Sequence, residues 1–399
     1  MKLVGAALVL LAISGCSAEV VEEFFASCDE FFADPYGIAS PPTRFYEPQY
    51  KQICQTVNDS VQYATYYDTD NKIPMYSAYR FLGVNNCENK SRSSWFIEPQ
   101  LDQQNGDRNM APQGNVSRTI RGNNQALNED YTGSGYHTGH LAPVSHTNTQ
   151  ICSDATFTLT NAAPQDPSFN SGQWRVTEKK VSDILSTKCL NKSLSAYVVT
   201  GVVPGNKKIK NRVNVPSYFW TAYCCLDNDK KPQISGGFYG ANVNEPVNNV
   251  SVSELEILLK DKYKKGSFQL FGKVGCVKLQ GPEALNLERC RNRSRIVEEY
   301  ARDLVSGTIK PRSIYERNCA RRYASASSRQ RKLIVKHCAV NLLSISIFKP
   351  ISKIDDFCGT VFGFASSRPR SSDEEYPAIL RTEKDNDDDL DLPVQTKYV

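Results

Sequence analysis

Across residues 24–276 the chain repeats one pattern: short runs rich in β-branched and aromatic residues, each bounded by Gly, Pro, Asn or Asp. Residues 62–67, 156–160, 197–203, 218–225 and 238–243 all follow it. Such runs suit a pleated, half-buried surface and are expected as strands. Only two stretches carry a helical period. In 171–188, Trp174, Val181, Ile184, Leu185 and Lys188 fall near one face, with charges opposite. In 251–264, Val252, Leu255, Leu258 and Leu259 do the same, with Ser251 or Ser253 as cap and Glu254 or Glu256 following. Many strands with few helices between them predict an α+β fold.

The N-terminus reads as a secretory signal over residues 1–18. Lys2 precedes an apolar run, 3–13, which is too short to span a bilayer, and Cys16-Ser17-Ala18 offers a small-x-small cleavage site before Glu19. Ile13-Ser14-Gly15-Cys16 also resembles a bacterial lipoprotein box, the weaker of the two readings. No later apolar run reaches 18 residues, so no membrane span is expected. Of thirteen cysteines, removal of Cys16 leaves twelve, an even number suited to disulfides in an oxidising compartment. Six Asn-x-Ser sequons begin at Asn58, Asn89, Asn115, Asn191, Asn249 and Asn292. A secreted, extracellular, disulfide-bonded glycoprotein is the expectation.

A formal net charge of +5 hides a strong asymmetry. Residues 289–332 hold 13 Lys/Arg against four acids, whereas 373–391 hold nine acids against two bases. The organisation expected is a folded unit at 19–276, a basic, cysteine-containing extension at 277–365 and an acidic, disordered tail at 366–399. The tail has too little apolar surface to offset the entropy of ordering. The basic stretch is either a solvated helical face or a surface for polyanions.

The chain has only four histidines, and three of them, His137, His140 and His146, lie within ten residues of a Gly-rich segment. Three readings stand open. They are ordinary structural histidines, or zinc ligands, or one of them is a general base. Zinc is disfavoured because Gly135, Gly139 and Pro143 oppose a helix that would place His137 and His140 together. Histidine titrates nearest neutrality and can take a proton from water. Phosphodiester hydrolysis also needs a cation beside the scissile phosphate. Downstream, Asn170 opens the amphipathic helix and Glu178 follows a little over two turns later. A cation held by one neutral amide oxygen keeps most of its waters, as Mg²⁺ prefers, and Glu178 can hold those waters. Taken singly, Asn170 also suits a helix cap, Glu178 a solvated helix surface and Asn161 a turn.

Gly135-Tyr136-x-x-Gly139-His140-Leu141-Ala142-Pro143, Leu159-Thr160-Asn161-Ala162-Ala163-Pro164-Gln165 and Phe169-Asn170-x-Gly172-x-Trp174 with Glu178 follow one another in order. Together with Trp95-x-x-Glu98-Pro99-Gln100 and Ser217-Tyr218-Phe219-Trp220, this series resembles the DNA/RNA non-specific endonuclease family, most closely its secreted vertebrate endonuclease domain-containing 1-like members. The resemblance implies a ββα-metal (His-Me finger) nuclease fold and a Mg²⁺-dependent endonuclease for DNA and RNA, with one ion that Mn²⁺ can replace. It implies His140 as general base, Asn170 as metal ligand and Glu178 as holder of a water around the ion, with Asn161 and Gln165 as supports. The family motif carries an Arg where this chain has Thr138, which can donate a hydrogen bond to phosphate without a charge. A second family Arg aligns with Ser93, one place from Arg92, so Thr138, Gln165 and Arg92 are the candidate substrate contacts. The alternative reading is a catalytically weak nuclease-fold protein that binds extracellular nucleic acid or polyanions.

Overall fold

From Val20 to Tyr263, twelve strands and six α-helices organise the described residues. The strands are β1 Val20–Val21, β2 Tyr50–Val57, β3 Ser60–Asp68, β4 Ile73–Phe81, β5 His137–His140, β6 Ala162–Gln165, β7 Ser195–Val203, β8 Lys207–Ile209, β9 Val213–Val215, β10 Tyr218–Leu226, β11 Pro232–Ala241 and β12 Asn248–Val250. The helices are α1 Pro99–Asp102, α2 Asn128–Tyr131, α3 Gln150–Ala155, α4 Pro167–Phe169, α5 Arg175–Ile184 and α6 Val252–Tyr263. The computed structural model describes residues 20–278 apart from 25–26, 38–40, 86, 88–94 and 273–274, together with 299–304, 306–308, 310, 317 and 320. All belong to the first of two units into which the chain divides, Met1–Ser366. The signal segment, Arg92, most of the basic extension and the acidic tail lie outside the described residues.

An eight-stranded sheet in the order β1-β2-β3-β4-β7-β10-β11-β12 forms the frame, and every neighbouring pair is antiparallel. Adjacent side chains on a strand face opposite ways, so each inner strand feeds two cores. On β10, Trp220, Ala222, Cys224 and Leu226 join a layer with Leu255 and Leu259 of α6. Phe219 packs with Phe169 and Trp174, while Tyr223 and Cys225 pack with Val181 and Leu185 of the long helix. The consecutive cysteines exploit the same alternation. Cys225 bonds to Cys189 at the end of that helix, and Cys224 bonds to Cys276 beyond α6. One strand thus pins a layer to each face, and Cys28–Cys54 ties the N-terminal segment to β2.

Several sequence expectations change. Residues 156–160 are not a strand: Thr156 caps α3 and Leu159–Asn161 is a 3₁₀ turn, with a single bridge from Thr158 to Phe96. Phe157 and Leu159 are buried in a core cluster with Trp95, Ile97 and Leu141 instead of by a ladder. Strands β2 and β4, which the run pattern did not single out, are both inner strands of the sheet, and β4 lies at its centre. The second helix is capped by Ser251, whose hydroxyl accepts from the Glu254 N–H while Glu254 returns the bond to the Ser251 N–H.

The neighbours β4 and β7 are separated in sequence by residues 82–194. That excursion carries β5, β6 and the long helix.

Candidate active site

Within the excursion, β5 pairs with β6 in antiparallel register: His137 opposite Gln165, Thr138 opposite Pro164, Gly139 opposite Ala163 and His140 opposite Ala162. The chain then turns at Asp166, whose carboxylate accepts from the Ser168 and Phe169 N–H groups and starts a helix at Pro167. The helix therefore opens three residues before Asn170, which leaves the Asn170 side chain free of capping. A π turn, Asn170–Trp174, follows, with Gly172 at φ −102° and ψ −109°. Turns of this kind widen a helix locally and recur at functional sites. From Arg175 the helix is regular to Ile184. Two short strands followed by a helix make this a ββα unit, the arrangement that the resemblance implies.

His140 lies at the end of β5 between two rings. The Trp95 centroid is 4.5 Å from that of the imidazole, and the Phe157 ring meets it edge-on at 5.1 Å. Its Nε2 is buried without a hydrogen-bond partner. Burial pushes the His140 pKa down to about 3, so the ring is neutral at physiological pH. Trp95 and Phe157 escaped the sequence reading as site residues. Trp95 stood only as part of a supporting motif, and nothing local announces that it meets a histidine 45 positions away.

Asn161 is fully buried and all its hydrogen-bonding capacity is used. Its Oδ1 accepts from the Ala142 N–H and the Ser77 hydroxyl, and its Nδ2 donates to the Ala142 and Thr156 carbonyls. It braces the chain just after His140, where the Leu141 N–H also donates to the Asn161 carbonyl. Gln165 is buried above Gly139, and a Cβ there would stand 2.3 Å from the Gln165 Oε1. Both polar atoms of the Gln165 amide lack partners. Asn170 donates from Nδ2 to the Nδ1 of His137 at 3.2 Å, and among the described residues no donor meets its Oδ1. Thr138 is half-buried, and its side chain makes no hydrogen bond among the described residues.

His146 stands apart from the other two. Its Nε2 donates to the main-chain carbonyl of Glu178 at 2.8 Å, which fixes the tautomer, so Nδ1 accepts from the Tyr79 hydroxyl at 2.8 Å. Burial lowers its pKa to about 4. It thus serves as a brace between β4 and the long helix. Burial raises the Glu178 carboxyl to about 8, against the opposing pull of the Trp174 indole and Arg175. The Trp174 N–H faces that carboxyl outside ordinary hydrogen-bond geometry and counts among the buried groups without a partner. Among the described residues no group of three or more His, Cys, Asp or Glu side chains converges as a metal site, so a three-histidine zinc centre is not formed.

One more buried acid lies behind Trp95. Glu98 accepts from Gln55 Nε2 at 2.5 Å and from the Thr158 hydroxyl at 3.4 Å. Burial raises its pKa to about 8.

Residues 41–264 match the DNA/RNA non-specific endonuclease family. The human endonuclease domain-containing 1 protein is 32% identical over 256 residues, which is 63% of this chain and 48% of that protein. Bovine mitochondrial endonuclease G is 33% identical over 116 residues, 26% of this chain and 37% of that one. The chain thus spans about half or less of the length of these relatives. A crystal structure of the EndoG/EndoGI complex aligns at a TM-score of 0.34 and 23% identity, covering 49% of this chain and 79% of that one.

Proposed function

Because the chain belongs to the DNA/RNA non-specific endonuclease family, we propose that it is a secreted, Mg²⁺-dependent endonuclease that hydrolyses phosphodiester bonds of DNA and RNA. His140 is the general base and Asn170 the direct ligand of one Mg²⁺, with Mn²⁺ able to replace it. The observation that carries this reading is the buried, unpartnered Nε2 of a neutral His140, held between Trp95 and Phe157 on the strand that faces the β6–helix turn.

The residues present suit a hard cation. Asn170 offers a free Oδ1 while its Nδ2 is held by His137, and the unpartnered amide of Gln165 lies on the adjoining strand. Oxygen donors in small number are what Mg²⁺ accepts, since it retains most of its waters. When bound, it would neutralise charge on the phosphate and the leaving oxygen. The rest falls to the protein. His140 takes the proton of the attacking water through its Nε2 lone pair. Asn161 keeps the 140–142 backbone in place, so that lone pair has one direction. Glu178, anchored through its own carbonyl by His146, accepts hydrogen bonds from water at the site. Thr138 and Gln165 contact phosphate, and Arg92, outside the described residues, is the candidate cation beside it. Phosphate contacts carry no base identity, which gives cleavage without sequence preference.

Secretion is supported by three disulfides among the described residues. Among those residues no helix is long and apolar enough to cross a membrane. Asn58, Asn115, Asn191 and Asn249 are exposed, as glycan acceptors must be. The basic stretch 289–332 adds affinity for polyanions, and the unit at 19–276 folds without it.

The test is nicking of supercoiled plasmid and degradation of a long RNA by the purified chain. Cutting of both with Mg²⁺, lost on chelation and restored by Mg²⁺ or Mn²⁺, is the expected result. Binding of both nucleic acids with no cutting by well-folded protein would sink the reading and favour the polyanion-binding alternative.

A further inference from the structure

Among the described residues, six cysteines are paired and two, Cys87 and Cys152, are not. The remaining cysteines of the chain lie outside them: Cys16 in the signal segment, and Cys290, Cys319, Cys338 and Cys358 beyond the folded unit. Those last four are an even set, which leaves Cys87 and Cys152 with each other.

The surroundings bring the two together. The Asn85 N–H donates to the Thr147 carbonyl at 3.1 Å, and the Cys87 N–H turns back to the Asn85 carbonyl at 2.9 Å. Cys87 Sγ then lies 3.9 Å from the Thr147 hydroxyl. Two residues on, Thr149 caps α3 by accepting the N–H of Cys152 at 3.2 Å. Cys87 is buried and Cys152 half-buried. Burial, and next the proximity of Cys87, push the Cys152 thiol up to about 11.

We propose that Cys87 and Cys152 are joined by a disulfide that clasps the two segments carrying the rings around His140. Cys87 precedes Trp95 by eight residues, and Cys152 precedes Phe157 by five. The bond closes the chain upstream of both rings, which limits how far Trp95 and Phe157 can separate. It forms by thiol–disulfide exchange: the two thiols lose two protons and two electrons as the Sγ–Sγ bond forms. The electrons reduce an oxidised partner such as glutathione disulfide to two thiols. The pairing goes beyond the nuclease reading and stands without it.

The test is a peptide map of the full chain secreted from eukaryotic cells, with free thiols blocked by N-ethylmaleimide before digestion without reduction. A cross-linked pair containing Cys87 and Cys152 is the expected product. Blocked thiols at both positions, or either one joined to a different cysteine, would overturn the proposal. A second measurement uses Cys152→Ser. That variant should expose one more titratable thiol per chain, at Cys87, and unfold roughly 5–10 °C lower. Cys87→Ser with Cys152→Ser together should fall no further, and additive losses would count against a shared bond.

Discussion

The sheet and the ββα unit that interrupts it follow opposite rules. In the sheet, most buried polar groups are matched: Thr65 with Ser77 and Thr200 with Thr221 across strands, and the Trp220 indole with the Tyr263 hydroxyl of α6. In the unit between β4 and β7, His140 Nε2, both atoms of the Gln165 amide and Trp174 Nε1 are buried with no partner. Only two other such atoms occur among the described residues, Ser153 Oγ on α3 of the same excursion and Tyr76 Oη on β4 of the sheet. An unsatisfied buried polar group costs about 1–3 kcal/mol, so each of them calls for a reason, and the proposed site offers one. The frame satisfies most of its buried polar groups, whereas the excursion leaves several of its own open, as the proposed chemistry requires.

The largest test of this contrast pairs one residue from each region. His140→Ala should lower the cleavage rate by about 10²–10⁴-fold while costing at most about 1–2 kcal/mol of stability. Trp220→Ala, in the sheet, should do the reverse: a loss of about 3–5 kcal/mol in urea unfolding, with the rate per folded molecule unchanged. If His140→Ala cuts as fast as the parent, the base is elsewhere.

Glu98, buried against Gln55 and Thr158, tests whether the excursion's buried acids cost stability. Its folded pKa, about 8, stands above the ordinary carboxyl value of 4.5. The folded state therefore binds the proton more tightly than the unfolded state. Its contribution is complete below the unfolded value, falls as pH rises and levels off above the folded one. Glu98→Gln, which carries no proton, should be the more stable protein by about 2–4 kcal/mol at pH 8.5 and should match the parent near pH 4. Urea melts at both pH values decide it, and a gap that does not grow with pH would show that Glu98 titrates normally.

Asn170→Ala should raise the Mg²⁺ concentration for half-maximal cutting by about 10–100-fold, the scale of losing a partner in a metal site. High Mg²⁺ should restore much of the rate. An unchanged Mg²⁺ dependence would remove Asn170 from the ligand role. The smallest effect expected is a gain. Thr138→Arg places a guanidinium where the family motif has one, and should raise the rate on the order of tenfold. No gain in a folded variant would show that another cation already faces the phosphate.

The motif series from Gly135 to Glu178 was legible because the residues that make a ββα unit are close in sequence: a strand ending in His140, a return strand and a capped helix within 45 residues. The roles inside it were less legible. Three histidines in one segment look alike in sequence, yet His137 meets Asn170, His140 meets two aromatic rings, and His146 turns away to Tyr79 and the Glu178 carbonyl. Those partners come from other elements, and no local pattern encodes them.

By itself the sequence determined the fold class, the second helix with a serine cap at 251 or 253, and the order of the site motifs. Each depends on side-chain periodicity, turn chemistry or residue identity within a few positions. Only the tertiary structure decided that β4 and β7 are neighbours across residues 82–194, that Cys224 and Cys225 anchor opposite faces, and that Trp95 and Phe157 close on His140. These arrangements join residues far apart in the chain. Their register is set by how two buried layers fill space against a twisted sheet, a property of the packed whole that no short window of sequence contains.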